Sequence, residues 1–185
     1  MADVHRYRTA LTWAGSTGVG YDAYDRTHEV RAHVDHGDEG EGQGSGGSGL
    51  GLSLSSDPAF RGDSARLNPE QLLVAAASSC QLLSFLAVAA RARLDVVAYD
   101  DVATAVMPED DPPVRITRID LHPHVVLADT DRERPTAERL AHLTEVAHRE
   151  CFIASSLRSE VVVSPTFAWA SDAPPQATVD ASGPN

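Results

Sequence analysis

The chain has 185 residues, 42% hydrophobic and 23% charged, the proportions of an ordinary globular protein of about one core-bearing domain. Its formal net charge is −12, and its fifteen basic side chains, all arginine, are dispersed among twenty-seven acids, which argues against the basic stripe that a nucleic-acid surface needs. Residues 1–12 lack the basic-then-apolar layout of a secretory signal, so a cytoplasmic protein with two reduced cysteines is expected.

Tyr7, Thr9, Leu11 and Trp13 alternate as a half-buried strand requires, and Val30, Ala32 and Val34 repeat the pattern after the glycines at 18 and 20. Two antiparallel strands follow from this. Residues 37–51 are glycine, serine and acid, too poor in apolar surface to offset the entropy of ordering them, and read as a flexible insertion. A short strand is expected over 50–54, then an irregular stretch through Arg61.

Asn68-Pro69-Glu70 signals a helix start: Asn68 caps, Pro69 loses nothing at the first helical position, and Glu70 complements the dipole. The helix that follows, 72–90, carries no charge. It is long enough for a membrane span, but Ser78, Ser79, Cys80, Gln81 and Ser84 put polar groups at its centre, which favours a buried core helix covered by sheet or by a second subunit.

Strands are expected over 96–106 and 115–127, joined by an acidic, proline-rich turn. A second helix starts near Thr136, with Leu140, Leu143, Val146 and Ala147 as its apolar stripe, and Cys151 falls at or just past its end. A final strand covers 160–169, and the tail, 171–185, is proline-rich and reads as disordered. The order of elements predicts an α+β fold, one domain over 1–170, with an antiparallel-leaning sheet around a long buried helix.

Cys80 sits in the middle of the apolar helix. A cysteine reacts as thiolate, and burial alone silences it, so a cation is required. The helix dipole fades within one turn, and Cys80 is about three turns in. Arginine is the available cation: Arg61 and Arg66 are nearest in sequence, with Arg26 further off. Glu70 could orient such an arginine, yet on a straight helix it is about 15 Å along the axis from Cys80. Either the helix breaks between them or Glu70 serves the cysteine of a second subunit, and the second option also explains the apolar helix surface.

The run Leu67-Asn68-Pro69-Glu70-Gln71-Leu72-Leu73, continuing through Ala75-Ala76-Ala77-Ser78-Ser79-Cys80, resembles the NPE(E/Q)L…AAxxxC signature of the OsmC/Ohr family, the osmotically inducible and organic hydroperoxide resistance proteins. His148-Arg149-Glu150-Cys151 and the serine-rich turn after it resemble the family's second motif, and Asp57-Pro58-Ala59-Phe60-Arg61-Gly62-Asp63 resembles the segment before the first motif in an OsmC-like branch. The resemblance implies an OsmC-like intertwined homodimer and a thiol-dependent peroxide reductase that acts on organic hydroperoxides. It implies Cys80 as peroxidatic thiol, Cys151 as resolving thiol, Glu70 as carboxylate and Arg61 as activating arginine, with Arg66 in reserve. It further implies no bound cofactor and reduction by an external dithiol such as a lipoylated protein. Gln81 departs from the histidine common in that branch.

Rival readings are weaker. For a zinc site, His142 and His148 are six apart and no C-x-x-C is present; His122 and His124 read as solvated imidazoles on a strand. No G-x-S-x-G elbow marks a serine hydrolase. The alternative from another class is a binding protein of the same fold that holds a small apolar ligand at the dimer interface with little turnover.

Overall fold

The computed structural model describes residues 4–32 and 51–172. The chain, expected to form one domain over 1–170, divides into two compact units, Met1–Leu72 and Leu73–Asn185. Of the expected insertion only Gly51 is described, and of the expected tail only Ser171 and Asp172; the remainder of both, and Val34, lie outside the described residues.

In the N-terminal unit, β1 (Thr9–Thr12), β2 (His28–Ala32) and β3 (Gly51–Leu54) form an antiparallel sheet in the order β1-β2-β3. The alternation in the sequence locates these strands correctly, but β1 is exposed along its whole length, with Leu11 at 65%. Between β1 and β2, the Ser16 hydroxyl accepts the Gly18 N–H, and Gly20 takes the positive φ of +96° that suits glycine.

Asp57 organises the irregular stretch. Its side chain accepts the Ala59 N–H at 2.7 Å, its carbonyl accepts the N–H groups of Phe60 and Gly62, and its second carboxylate oxygen takes a bond from Asn68 Nδ2 at 3.1 Å. Gly62 is required there, because a Cβ would sit 1.5 Å from the Ser56 carbonyl oxygen.

The long helix, α1 (Pro69–Arg91), begins where the cap signal predicts and runs unbroken. Asn68 Oδ1 accepts the Gln71 N–H at 2.8 Å while Gln71 Oε1 accepts the Asn68 N–H at 3.0 Å, a reciprocal capping box.

The C-terminal unit continues with β4 (Val96–Val106), β5 (Arg118–Leu127), α2 (Ala137–Arg149), α3 (Phe152–Ser156), β6 (Glu160–Val163) and β7 (Thr166–Trp169). β5 starts at Arg118 rather than at 115. β4 pairs with it antiparallel, while β6 and β7 run parallel to its first and second halves. The expected single last strand is therefore two, interrupted at Ser164 and Pro165, where proline has no N–H to give a ladder. Three of the five strand pairings among the described residues are antiparallel, so the α+β, antiparallel-leaning description holds.

β5 turns Ile119, Leu121, Val125 and Leu127 inward and leaves His122 and His124 exposed. Against its inner face pack α2 through Leu140, Leu143 and Ala147, and α1 through Ala77, Phe85, Val88 and Ala89, a stripe at helical spacing. This makes α1 a core helix despite an apolar length that would cross a membrane. Only that stripe, with Gln81 between Ala77 and Phe85, is buried, however; Leu83 on the other side is 63% exposed and Leu86 is exposed too.

The capping box gives the first test. Asn68→Ala should cost about 1–2 kcal/mol, since it strips the cap and the bond to Asp57 together. Urea unfolding should show a lower midpoint with an unchanged slope.

Candidate active site: a thiol pair at a helix junction

α2 ends as the amides of Glu150 and Cys151 bond back to the carbonyls of Val146 and His148. Cys151 then leaves helical geometry (φ −74°, ψ 107°) and its Sγ accepts the Ala154 N–H at 3.5 Å, so that a thiol caps α3. The preceding amide in that turn, Ile153 N–H, donates to Cys80 Sγ, also at 3.5 Å. Two consecutive amides, of Ile153 and Ala154, thus hold the two sulfurs. Both are free cysteines.

Their surroundings differ. Cys80 is half-buried, whereas Cys151 is 1% exposed. Burial pushes the Cys151 thiol up to about 11, the Ala154 amide opposes this, and the Cys80 sulfur adds to it. Cys151 is therefore an S–H at neutral pH.

Polar anchors fix α1 over the sheet. Ser78 Oγ donates to Asp101 Oδ2 at 2.5 Å, and Asp101 Oδ1 accepts the His122 N–H at 2.8 Å. Burial, with the charges of Asp101 and Cys151 nearby, pushes the Tyr99 phenol well up. Three buried polar atoms, Gln81 Oε1, Tyr99 Oη and His148 Nδ1, have no hydrogen-bond partner among the described residues.

The other predicted residues belong to the N-terminal unit. Arg61 is exposed, takes a left-handed φ of +63° and pairs with Asp22 at 2.8 Å. Arg66 pairs with Asp63 at 3.2 Å and bonds Ser53 Oγ. Arg26 lies over the Tyr24 ring at 3.8 Å and donates to the carbonyls of Tyr24 and Tyr21. Glu70 is half-buried in the first turn of α1. Because α1 is continuous, the option of a broken helix between Glu70 and Cys80 falls, and about 15 Å of helix separates them. Among the described residues no three His, Cys, Asp or Glu side chains converge as metal ligands would; His124 Nδ1 instead meets Thr166 Oγ1 at 3.0 Å.

A family model described as OsmC-like protein matches residues 62–166. The chain belongs to the OsmC-like family. The match includes Glu70, Arg66, Cys80 and Cys151 and begins just after Arg61. Among solved structures, an OsmC-like protein of unknown function from Vibrio cholerae is 27% identical with a TM-score of 0.72, the alignment covering 88% of this chain and 100% of that one. An organic hydroperoxide resistance protein from Elizabethkingia anophelis is 18% identical with a TM-score of 0.60, over 91% and 99% of the two chains. A putative organic hydroperoxide resistance protein from Vibrio cholerae, solved with captopril in one of its active sites, is 20% identical with a TM-score of 0.56, over 89% and 93%. No curated protein matches the chain significantly.

Two features of this OsmC-like site are invisible in the sequence reading. The five-residue α3 is too short to show a period, although a cysteine followed by Phe-Ile-Ala-Ser-Ser after a basic helix end is compatible with a cap. Tyr99 carries no local signal at all; only the fold of β4 brings it near Cys151.

The raised Cys151 value predicts a pH dependence. A thiol whose folded value lies above its ordinary 9.0 contributes stability that is complete below that pH and is lost as pH rises through about 11. Thermal melts of the reduced protein should therefore show a lower midpoint as pH climbs through that window, and Cys151→Ala should flatten the slope. An equal slope in the variant would mean that Cys151 titrates normally.

Proposed function

We propose that this OsmC-like protein is a thiol-dependent peroxide reductase that reduces organic hydroperoxides, with Cys80 as peroxidatic thiol and Cys151 as resolving thiol. The observation that carries this reading is that the consecutive amides of Ile153 and Ala154 each donate to one of the two sulfurs, one sulfur partly accessible and the other dry. The names of the hydroperoxide resistance proteins that share the fold lend support.

In the first step the Cys80 thiolate attacks the hydroperoxide, the O–O bond breaks, the hydroxyl stays on sulfur as a sulfenic acid, and the alkoxide leaves as alcohol after taking a proton. The Ile153 N–H faces the sulfur that must carry charge at that moment, as preorganised donors do. Cys151 then displaces the hydroxyl as water and forms a disulfide with Cys80. An external dithiol, such as a lipoylated protein or a small thiol, becomes oxidised in turn and restores both thiols; no bound cofactor is needed.

The cation beside Cys80 would come from Arg61, with Arg66 and Arg26 as the other candidates, and Glu70 would orient it. The helical spacing of Glu70 from Cys80 favours a homodimer in which the carboxylate serves the partner's thiol. The exposed Leu83, Leu86 and Phe152 support the same assembly, since a second copy would cover them. A soluble cytoplasmic enzyme fits this chemistry, because a reducing compartment keeps the thiol pair ready.

With an alkyl hydroperoxide and a dithiol, Cys80→Ser should lose all peroxide consumption, while Cys151→Ser should complete one turnover and stall as a sulfenic acid that dimedone traps. Mass spectrometry of oxidised wild-type protein should find the Cys80–Cys151 disulfide. Undiminished steady-state turnover by the Cys80 variant would refute the assignment.

A further inference from the structure

A cavity of about 370 Å³ lies within the C-terminal unit at the start of α2. Cys151 is past the other end of that helix, whose thirteen residues span about 20 Å, so the cavity is separate from the thiols. Its apolar wall is Leu94, Leu127, Pro135 and Trp169. Its polar wall carries four arginines, Arg93, Arg132, Arg134 and Arg139, against two acids, Asp95 and Glu133, in a chain whose net charge is −12.

The four guanidiniums are not equivalent. Arg134 lies over the Trp169 ring at 4.6 Å and is neutralised by Asp129 at 2.6 Å and Asp172 at 2.9 Å. Arg93, Arg132 and Arg139 form no ion pair and no side-chain hydrogen bond among the described residues, so three guanidiniums are left to receive a ligand; with the two carboxylates on Arg134 counted, four acids balance the four arginines and an anion is needed to engage those three. Three unpaired guanidiniums beside the N-terminal end of α2 suit the paired oxygens of a carboxylate. Arg93 also holds a φ of +60° just past the end of α1, where its amide and that of Leu94 bond back to Ala90 and Ala89. Glycine is the usual residue at such a position, and a charged side chain stands there at a conformational cost.

We propose that this cavity binds a small organic monoanion, a carboxylate carried on a flat or short aliphatic body, with the carboxylate among Arg93, Arg132 and Arg139 and the body against Leu94, Leu127 and Trp169. The size is that of a small-molecule site, apolar with a few convergent polar groups.

Paired probes test this on the full-length protein: 4-phenylbutyrate, and 4-phenylbutanol, which keeps the body and lacks the charge. The Trp169 indole N–H signal in NMR should shift saturably with the acid and not with the alcohol. Arg139→Gln and Arg93→Gly should each weaken the acid at least tenfold. Arg93→Gly should at the same time raise the melting temperature by relieving the left-handed backbone, which separates lost binding from lost folding, and Arg139→Gln keeps the test intact if the glycine variant misfolds. The proposal is overturned if the alcohol binds as tightly as the acid, if the acid gives no saturable shift, or if the folded variants bind like wild type.

Discussion

Cys151 closes one helix and caps the next, and this double role fixes the position of both sulfurs. Because its Sγ takes the Ala154 amide, the chain must turn there, and the same turn aims the Ile153 amide at Cys80 on α1. Sulfur is a weak acceptor, and the bonds are long at 3.5 Å; a serine or aspartate would cap better. The junction thus gives up some helix stability to hold a thiol, and the small, fully buried Ala77 of α1 shares a core cluster with Ile153 of the short helix.

In the proposed reaction, the unequal burial of the pair would set the order of events. A dry thiol kept protonated by its surroundings is a poor first attacker, and the half-buried Cys80 is the sulfur a substrate can reach. Were Cys80 to carry a hydroxyl, Cys151 would meet it from the same turn, and effective concentration would replace intrinsic reactivity. In this view a high thiol value for Cys151 protects it from reacting out of turn.

Much of the fold was legible because it follows from short-range chemistry. The Asn68-Pro69-Glu70 start, the Thr136 cap and β4 all sit where propensity and periodicity put them. Long-range pairing was not legible: whether β6 and β7 lie parallel or antiparallel to β5 depends on α2 carrying the chain back across the sheet, and the break at Pro165 looks from sequence like one continuous strand. Of the site, the two cysteines could be found from their motifs. The arginine could not be chosen, since Arg61, Arg66 and Arg26 differ only in their neighbours: Asp22 for the first, Asp63 for the second, two tyrosine rings for the third. The apolarity of α1 on every side predicted burial all round, whereas one chain buries a single stripe, and the remaining faces are left to the second copy proposed above.

The orphaned polar atoms complete the physical picture. Gln81, at 1% exposure, interrupts the apolar stripe of α1 one turn before Phe85, whose ring stands 6.2 Å from that of Tyr99. His148 is three residues before Cys151 on α2. These side chains come from the elements that carry or border the two thiols, and each unsatisfied group costs about 1–3 kcal/mol unless water reaches it. A core selected for stability alone would put leucine or phenylalanine in such places. Thr144, the other buried polar side chain of α2, has its hydroxyl satisfied by the Leu140 carbonyl, so the unsatisfied cost falls on the elements that carry or border the thiols, the pattern expected of an interior that does chemistry, as the proposed reaction requires.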